Sequence, residues 1–165
     1  MNTNENLAIA FAGESQANRK YLAFAKKAEQ DGFPQVAKLF RAASEAETIH
    51  ALAHFQNMGG VASTLENLEA AVGGETYEFT EMYPPMVEQA KKENHKGKTM
   101  LEWALAAEKV HAALYQKALE AVKAGKDLSQ MEIYICPACG DLEIGKPTER
   151  CHICGTAPEN YRVVG

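Results

Sequence analysis

The first 135 residues of this 165-residue chain contain no cysteine, so neither a disulfide nor a thiolate site holds the main body together. Basic charge is also in short supply. Lys and Arg number 17 against 22 Asp and Glu, for a formal net charge of -5, and they are scattered. That distribution offers no stripe for a nucleic acid and no patch for an anionic membrane surface. Long apolar runs are missing as well, and nothing approaches the roughly 18 residues that a membrane span requires. The opening stretch MNTNENLAIAFAGES lacks the basic lead and apolar run of a secretory signal, so a cytoplasmic location is expected. With only six prolines and 12 glycines beside 46% apolar and 24% charged residues, disordered and fibrous classes are excluded. The length suits one well-packed main domain and a small appendage.

What is present is helical periodicity. Leu7, Phe11, Glu14, Tyr21 and Ala28 share one stripe of a helix expected over residues 4–31, with Thr3 or Asn4 as its cap, and DGFP at 31–34 ends it. Val36, Phe40, Ala43, Glu47, His50 and His54 then step by 4, 3, 4, 3 and 4, the spacing of a core-facing seam. NMGG at 57–60 stops that helix. Residues 61–74 read as a connection long enough to cross a bundle, with a short helical turn around 65–71. In the third segment, ETYEFTEMYPPMVEQAKKE, local rules start a helix near Pro84; helical Glu78 and Glu81 require a kink after them. The fourth seam runs Leu101, Ala104, Glu108, His111, Tyr115, Ala118 and Val122 before Gly125. Past Lys126 the character changes, and a small separate module begins near Met131.

Two of these seams carry the same motif, AETIHA at 46–51 and AEKVHA at 107–112. Residues three apart share a helix face, so Glu47 with His50, and Glu108 with His111, each present an oxygen and a nitrogen in one direction. Acids on apolar seams need a compensating cation, because burying a lone carboxylate costs several kcal/mol. Each motif also follows a helix with a single acid: Glu14 precedes Glu47 by 33 residues, and Glu78 precedes Glu108 by 30. Four helices supplying two such acids and two ExxH pairs make the donor set of a diiron or dimanganese bundle. Each metal then receives one terminal imidazole, with carboxylates bridging the pair at roughly 3.5 to 4 Å. Glu81, three residues past Glu78, reads either as an extra ligand in one oxidation state or as a solvated acid. His54 reads as a seam-edge residue and His95 as a polar loop residue.

All four cysteines lie in CPACG at 136–140 and CHICG at 151–155. Two CxxCG turns aim four thiolates at one point and specify a tetrahedral site, for which zinc and a single iron are both suited. The redox requirement of a diiron partner favours iron, since zinc has no redox chemistry.

Taken together, AGES around Glu14, FRAASEAETIHA, YEFTEMYP, AEKVHA, ICPACG, CHICG and APENY resemble the rubrerythrin family over essentially the whole chain. The resemblance implies a mainly α fold: a ferritin-like diiron four-helix bundle over residues 1–128 and a rubredoxin-like Fe(Cys)4 domain over 129–165. It implies diiron ligands at Glu14, Glu47, His50, Glu78, Glu81, Glu108 and His111, and thiolates at Cys136, Cys139, Cys151 and Cys154. In the family one iron exchanges a glutamate for a histidine on reduction, assigned here to Glu81 and His50, and Tyr21 matches a tyrosine close to the diiron centre. The implied activity is a cytoplasmic non-haem peroxidase of oxidative-stress protection. It would reduce hydrogen peroxide to water, with electron transport from a rubredoxin or NAD(P)H-dependent reductase through the four-cysteine iron. Family members are at least homodimers. The second proline of YPP departs from the family pattern. A ferritin-type ferroxidase shares the bundle but leaves the cysteine tail unexplained, and a helical adaptor with a zinc ribbon leaves the paired acids without a purpose.

Overall fold

Asn2 starts the first helix, α1 (Thr3–Gln30), by a reciprocal cap. Its side-chain oxygen accepts from the Glu5 backbone N–H at 3.0 Å while the Glu5 carboxylate accepts from the Asn2 backbone N–H at 2.8 Å. The cap therefore lies one residue before the expected Thr3. In this computed structural model, which describes residues 1–165, the chain forms two compact units, Met1–Ala62 and Ser63–Gly165.

The first unit is a helical hairpin. After Asp31, Gly32 takes φ +83°, and the Phe33 N–H reaches back to the Ala28 carbonyl at 2.8 Å, a reversal that favours glycine. Pro34 then opens α2 (Pro34–Asn57) at a position where its missing N–H costs nothing. The pairs Phe11–Phe55, Asn18–Ser44 and Tyr21–Phe40 set the two helices antiparallel. Its buried residues are small: Ala25, Ala28, Ala37, Ser44 and Ala51. Small side chains bring the helices close enough for a polar lock. The Asn18 amide donates to the Ser44 carbonyl at 2.8 Å and to the Thr48 hydroxyl at 2.7 Å, and the Ser44 hydroxyl donates to the Asn18 carbonyl at 3.1 Å. Asn18 lies one turn past Glu14 and Thr48 lies beside Glu47, so the lock sets the register of those acids.

In the second unit the expected 61–74 connection is instead a helix, α3 (Thr64–Tyr77). Ser63 and Glu66 cap it reciprocally, which offsets the poor helix propensity of Gly73 and Gly74. Without a break it passes through a π-helical turn, Glu78–Met82, into α4 (Tyr83–Lys92). Pro84 and Pro85 explain the turn. Neither has an N–H to return to the preceding turn, and the path widens so that the Tyr83 N–H bonds the Glu78 carbonyl. Counting α3 through α4 as one, the chain has the expected four helical stretches. The last, α5 (Lys98–Lys123), runs antiparallel to it, as the ion pairs Glu69–Lys123 at 3.0 Å and Lys91–Glu102 at 2.9 Å record.

The cysteine module follows as a three-stranded antiparallel sheet in the order β2-β1-β3, from β1 (Ile133–Ile135), β2 (Leu142–Ile144) and β3 (Arg162–Val164). Tyr134 pairs with Glu143 on one side and Val163 on the other. The module belongs to the same compact unit as α3 to α5, and Trp103 of α5 packs on its cysteine core.

Replacing Asn18 by Ala removes both amide hydrogen bonds of the lock. It should lower hairpin stability by about 1–3 kcal/mol, read as a fall in the urea midpoint. An unchanged midpoint would show that the register is set elsewhere.

Candidate metal centres

Glu14 of α1 meets Glu47 and His50 of α2, with one donor atom from each inside a 4.8 Å group. The helical period does this. The ExxH spacing puts Glu47 and His50 on one face, where the His50 Nδ1 stands 3.1 Å from the Glu47 carboxylate. Glu47 is largely buried, whereas the His50 side chain is 55% exposed.

A second triad of the same kind lies in the other unit, formed by Glu75, Glu108 and His111. His111 Nδ1 is 2.7 Å from a Glu108 oxygen and 3.7 Å from a Glu75 oxygen. Its other ring nitrogen, Nε2, stands 2.9 Å from the backbone carbonyl of Gly140. A carbonyl only accepts, so Nε2 donates its hydrogen to Gly140; at Nδ1 a shared hydrogen joins the ring to the two acids, and this is the nitrogen left for a metal to take. A metal-ligating histidine needs that arrangement. Burial raises the Glu75 carboxyl from 4.5 to about 7, with a further rise from its hydrogen bond to Glu108 and the Glu108 charge, and His111 acts in opposition. Glu78 is half-buried, and burial, then the Glu108 charge, hold its carboxyl above the usual carboxylate range.

Each triad offers two oxygens and one imidazole, gathered against carboxylate repulsion, a donor set suited to iron or manganese. The expected Glu14, Glu47 and His50 are brought together as anticipated, and so are Glu108 and His111. The acid that joins the latter pair is Glu75, which sequence reasoning missed. Glu81 is exposed and stands outside the group. Glu75, Glu78 and Glu81 form two overlapping ExxE pairs that spacing alone cannot separate. The π-helical turn starting at Glu78 separates them by rotating Glu81 away from the face that Glu75 holds. One signal was available: Glu75 precedes Glu108 by 33 residues, the interval between Glu14 and Glu47. Tyr83 was also overlooked; burial, then the charges of Glu108, Glu78 and Glu75, raise its hydroxyl above the ordinary tyrosine value. Tyr21 packs its ring against Phe24 and Phe40, two turns along α1 from Glu14. His54 is half-buried, and His95 accepts from the Gly97 N–H at 3.0 Å in the turn before α5.

The four cysteine sulfurs form a third group, with Cys136–Cys154 and Cys139–Cys151 both at 3.5 Å. An ion bonded at 2.3 Å to four sulfurs has tetrahedral edges of roughly 3.8 Å, so the cage is already close to size. Gly140 and Gly155 close the two turns at φ +83° and +77°, their N–H groups bonding the Cys136 and Cys151 carbonyls. The left-handed backbone there explains the glycine after each second cysteine. Burial pushes the Cys139 thiol up, while at Cys154 hydrogen bonds from Thr156 overcome burial and bring the thiol down to about 7.

A family model described as Rubrerythrin matches residues 5–119. Rubrerythrin-2 of Clostridium acetobutylicum is 33% identical, over 97% of this chain and 95% of the relative. Nigerythrin of Nitratidesulfovibrio vulgaris is 37% identical, over 92% of this chain and 81% of the relative. Among solved structures, a mixed-valence state of nigerythrin superposes with a TM-score of 0.58 at 33% identity, covering 99% of this chain and 87% of that one.

Glu75→Gln should lower the iron content of the bundle, whereas Glu81→Gln should leave it unchanged; metal analysis of both variants checks the assignment. The metal-free protein gives a second readout. Its folded state keeps on Glu75 a proton that the unfolded chain releases near 4.5, so this contribution to stability declines between about 4.5 and 7 as pH rises, then levels off. The slope should become shallower in Glu75→Gln, with the raised Glu78 carboxyl leaving a remainder.

Proposed function

The chain belongs to the rubrerythrin family, and from that premise we propose that it reduces hydrogen peroxide to water, with electrons taken up at its four-cysteine module. It is a diiron oxidoreductase of the oxidative-stress class, with a ferritin-like helical fold and a rubredoxin-like Fe(Cys)4 site. The observation that carries the finer reading is the His111 bridge. From the Cys139 sulfur, the path runs along the Cys139–Gly140 backbone to the Gly140 carbonyl, then through a 2.9 Å hydrogen bond to the ring whose Nδ1 faces Glu75 and Glu108.

When bound, a pair of ferrous ions supplies two electrons together, matching the balance of peroxide, two electrons and two protons against two waters. The residues divide the remaining work. His111, only 18% exposed and held at both nitrogens, keeps one position. His50, with one carboxylate contact and an exposed ring, has room to move, which supports its assignment as the ligand that alternates. Within the second unit, half-buried Glu78, which feels the Glu108 charge, is a better carboxylate ligand than exposed Glu81. Tyr83, beside the Glu108, Glu78 and Glu75 charges, has one O–H to offer a peroxide oxygen, and Tyr21 shares the α1 stripe of Glu14. A rubredoxin or an NAD(P)H-dependent reductase is the proposed donor. A homodimer or larger assembly is the proposed state, and exposed Ile9, Leu39, Ile49 and Leu52 on the first hairpin are apolar side chains in want of a cover.

An anaerobic preparation with about three irons per chain tests the reading. Peroxide should oxidise the reduced protein within mixing time and bring up ferric-thiolate absorption. Cys139→Ser should keep a single oxidation of the bundle but lose repeated turnover. Slow oxidation by peroxide, or full turnover in Cys139→Ser, would sink the proposal. Sedimentation of the same sample should show a dimer or larger species.

A further inference from the structure

Beside the thiolate cage, one group of side chains has too few hydrogens. Asp141 follows the first CxxCG turn and is fully enclosed. Its Oδ2 faces the Tyr161 hydroxyl at 3.1 Å, His152 Nδ1 at 3.5 Å and the Cys151 sulfur at 3.6 Å. Its Oδ1 is buried with no hydrogen-bond partner. Glu143 of β2 approaches the same Tyr161 hydroxyl at 3.4 Å. A phenol has one hydrogen and cannot donate to both carboxylates at once. Enclosing a carboxylate with an idle oxygen is unfavourable, and a thiolate cage next to it adds negative charge. A cation relieves both problems.

We infer that Asp141, Glu143 and His152 form a third metal site, which takes a divalent cation of the zinc or manganese class through two carboxylate oxygens and the imidazole Nδ1. One donor atom of each residue already lies within 4.8 Å of the others. A single ion can draw such a group in to bonds of about 2.0–2.2 Å. The three residues come from different parts of the module: the end of the first knuckle, strand β2 and the second knuckle. Its rigid framework therefore fixes their convergence. Asp141 anchors the floor, while half-buried Glu143 and exposed His152 leave an entry from solvent. The donor set differs from its neighbour, since oxygen and imidazole suit a borderline or hard cation while four thiolates suit a soft one. An ion held there stands one carboxylate away from the Cys151 sulfur.

Iron-replete protein dialysed against micromolar zinc, with zinc and iron counted together, tests this site. The expected result is one extra zinc per chain with iron and ferric-thiolate absorption unchanged. Glu143→Gln and His152→Ala should each weaken zinc uptake at least about tenfold while keeping the iron. Three results would overturn the inference: no zinc beyond the iron content, zinc gained only as iron is lost, or both variants binding zinc as tightly as the parent chain.

Discussion

The two-ended hydrogen bonding of His111 is the interaction on which the rest of this structure depends. With Nε2–H given to the Gly140 carbonyl, the ring has one orientation, and its Nδ1 is directed at Glu108 and Glu75. The same bond joins a helix of the bundle to the knuckle of the cysteine module, and Trp103, about two turns earlier on α5, packs on the cysteine core. Placing and linking are therefore one act. A ring turned by rotation about its own bonds would lose the carbonyl, the tautomer and the acid contact together.

Charge sets the second constraint. Glu75, Glu78 and Glu108 crowd one side of α3 to α5, and burial with mutual repulsion lifts the carboxyls of Glu75 and Glu78. Helices do not gather acids in this way for stability, because a hydrophobic pair in the same places would be cheaper. The hairpin of α1 and α2 holds Glu14 and Glu47 under a similar constraint, with its alanine seam and the Asn18 lock supplying the stability that the acids withhold. In both units a cation converts the crowding into coordination.

Sequence reading reached the parts of this architecture that follow from a fixed period. The two ExxH pairs, Glu14 and the four cysteines lie at spacings that a helix or a knuckle turns directly into proximity. It read α3 only as a short helical turn around 65–71, because VASTLENLEAAVGG lacks a clear apolar stripe and holds two glycines, while the Ser63–Glu66 cap that nucleates the helix is a short local signal. It named Glu78 from the repeat and Glu81 from the resemblance, whereas the group gathered with Glu108 and His111 contains Glu75, on the near side of the π-helical turn that starts at Glu78. The Asp141, Glu143 and His152 group was invisible for a different reason: strand pairing and knuckle folding bring it together, and no periodicity records that.

A crystal structure of the iron-loaded protein would test the central claim most directly. The account predicts His111 bound to iron through Nδ1 with Nε2 still donating to the Gly140 carbonyl, and Glu75 in the coordination shell with Glu81 outside it. Iron bound through Nε2, or Glu81 coordinated in place of Glu75, would contradict it.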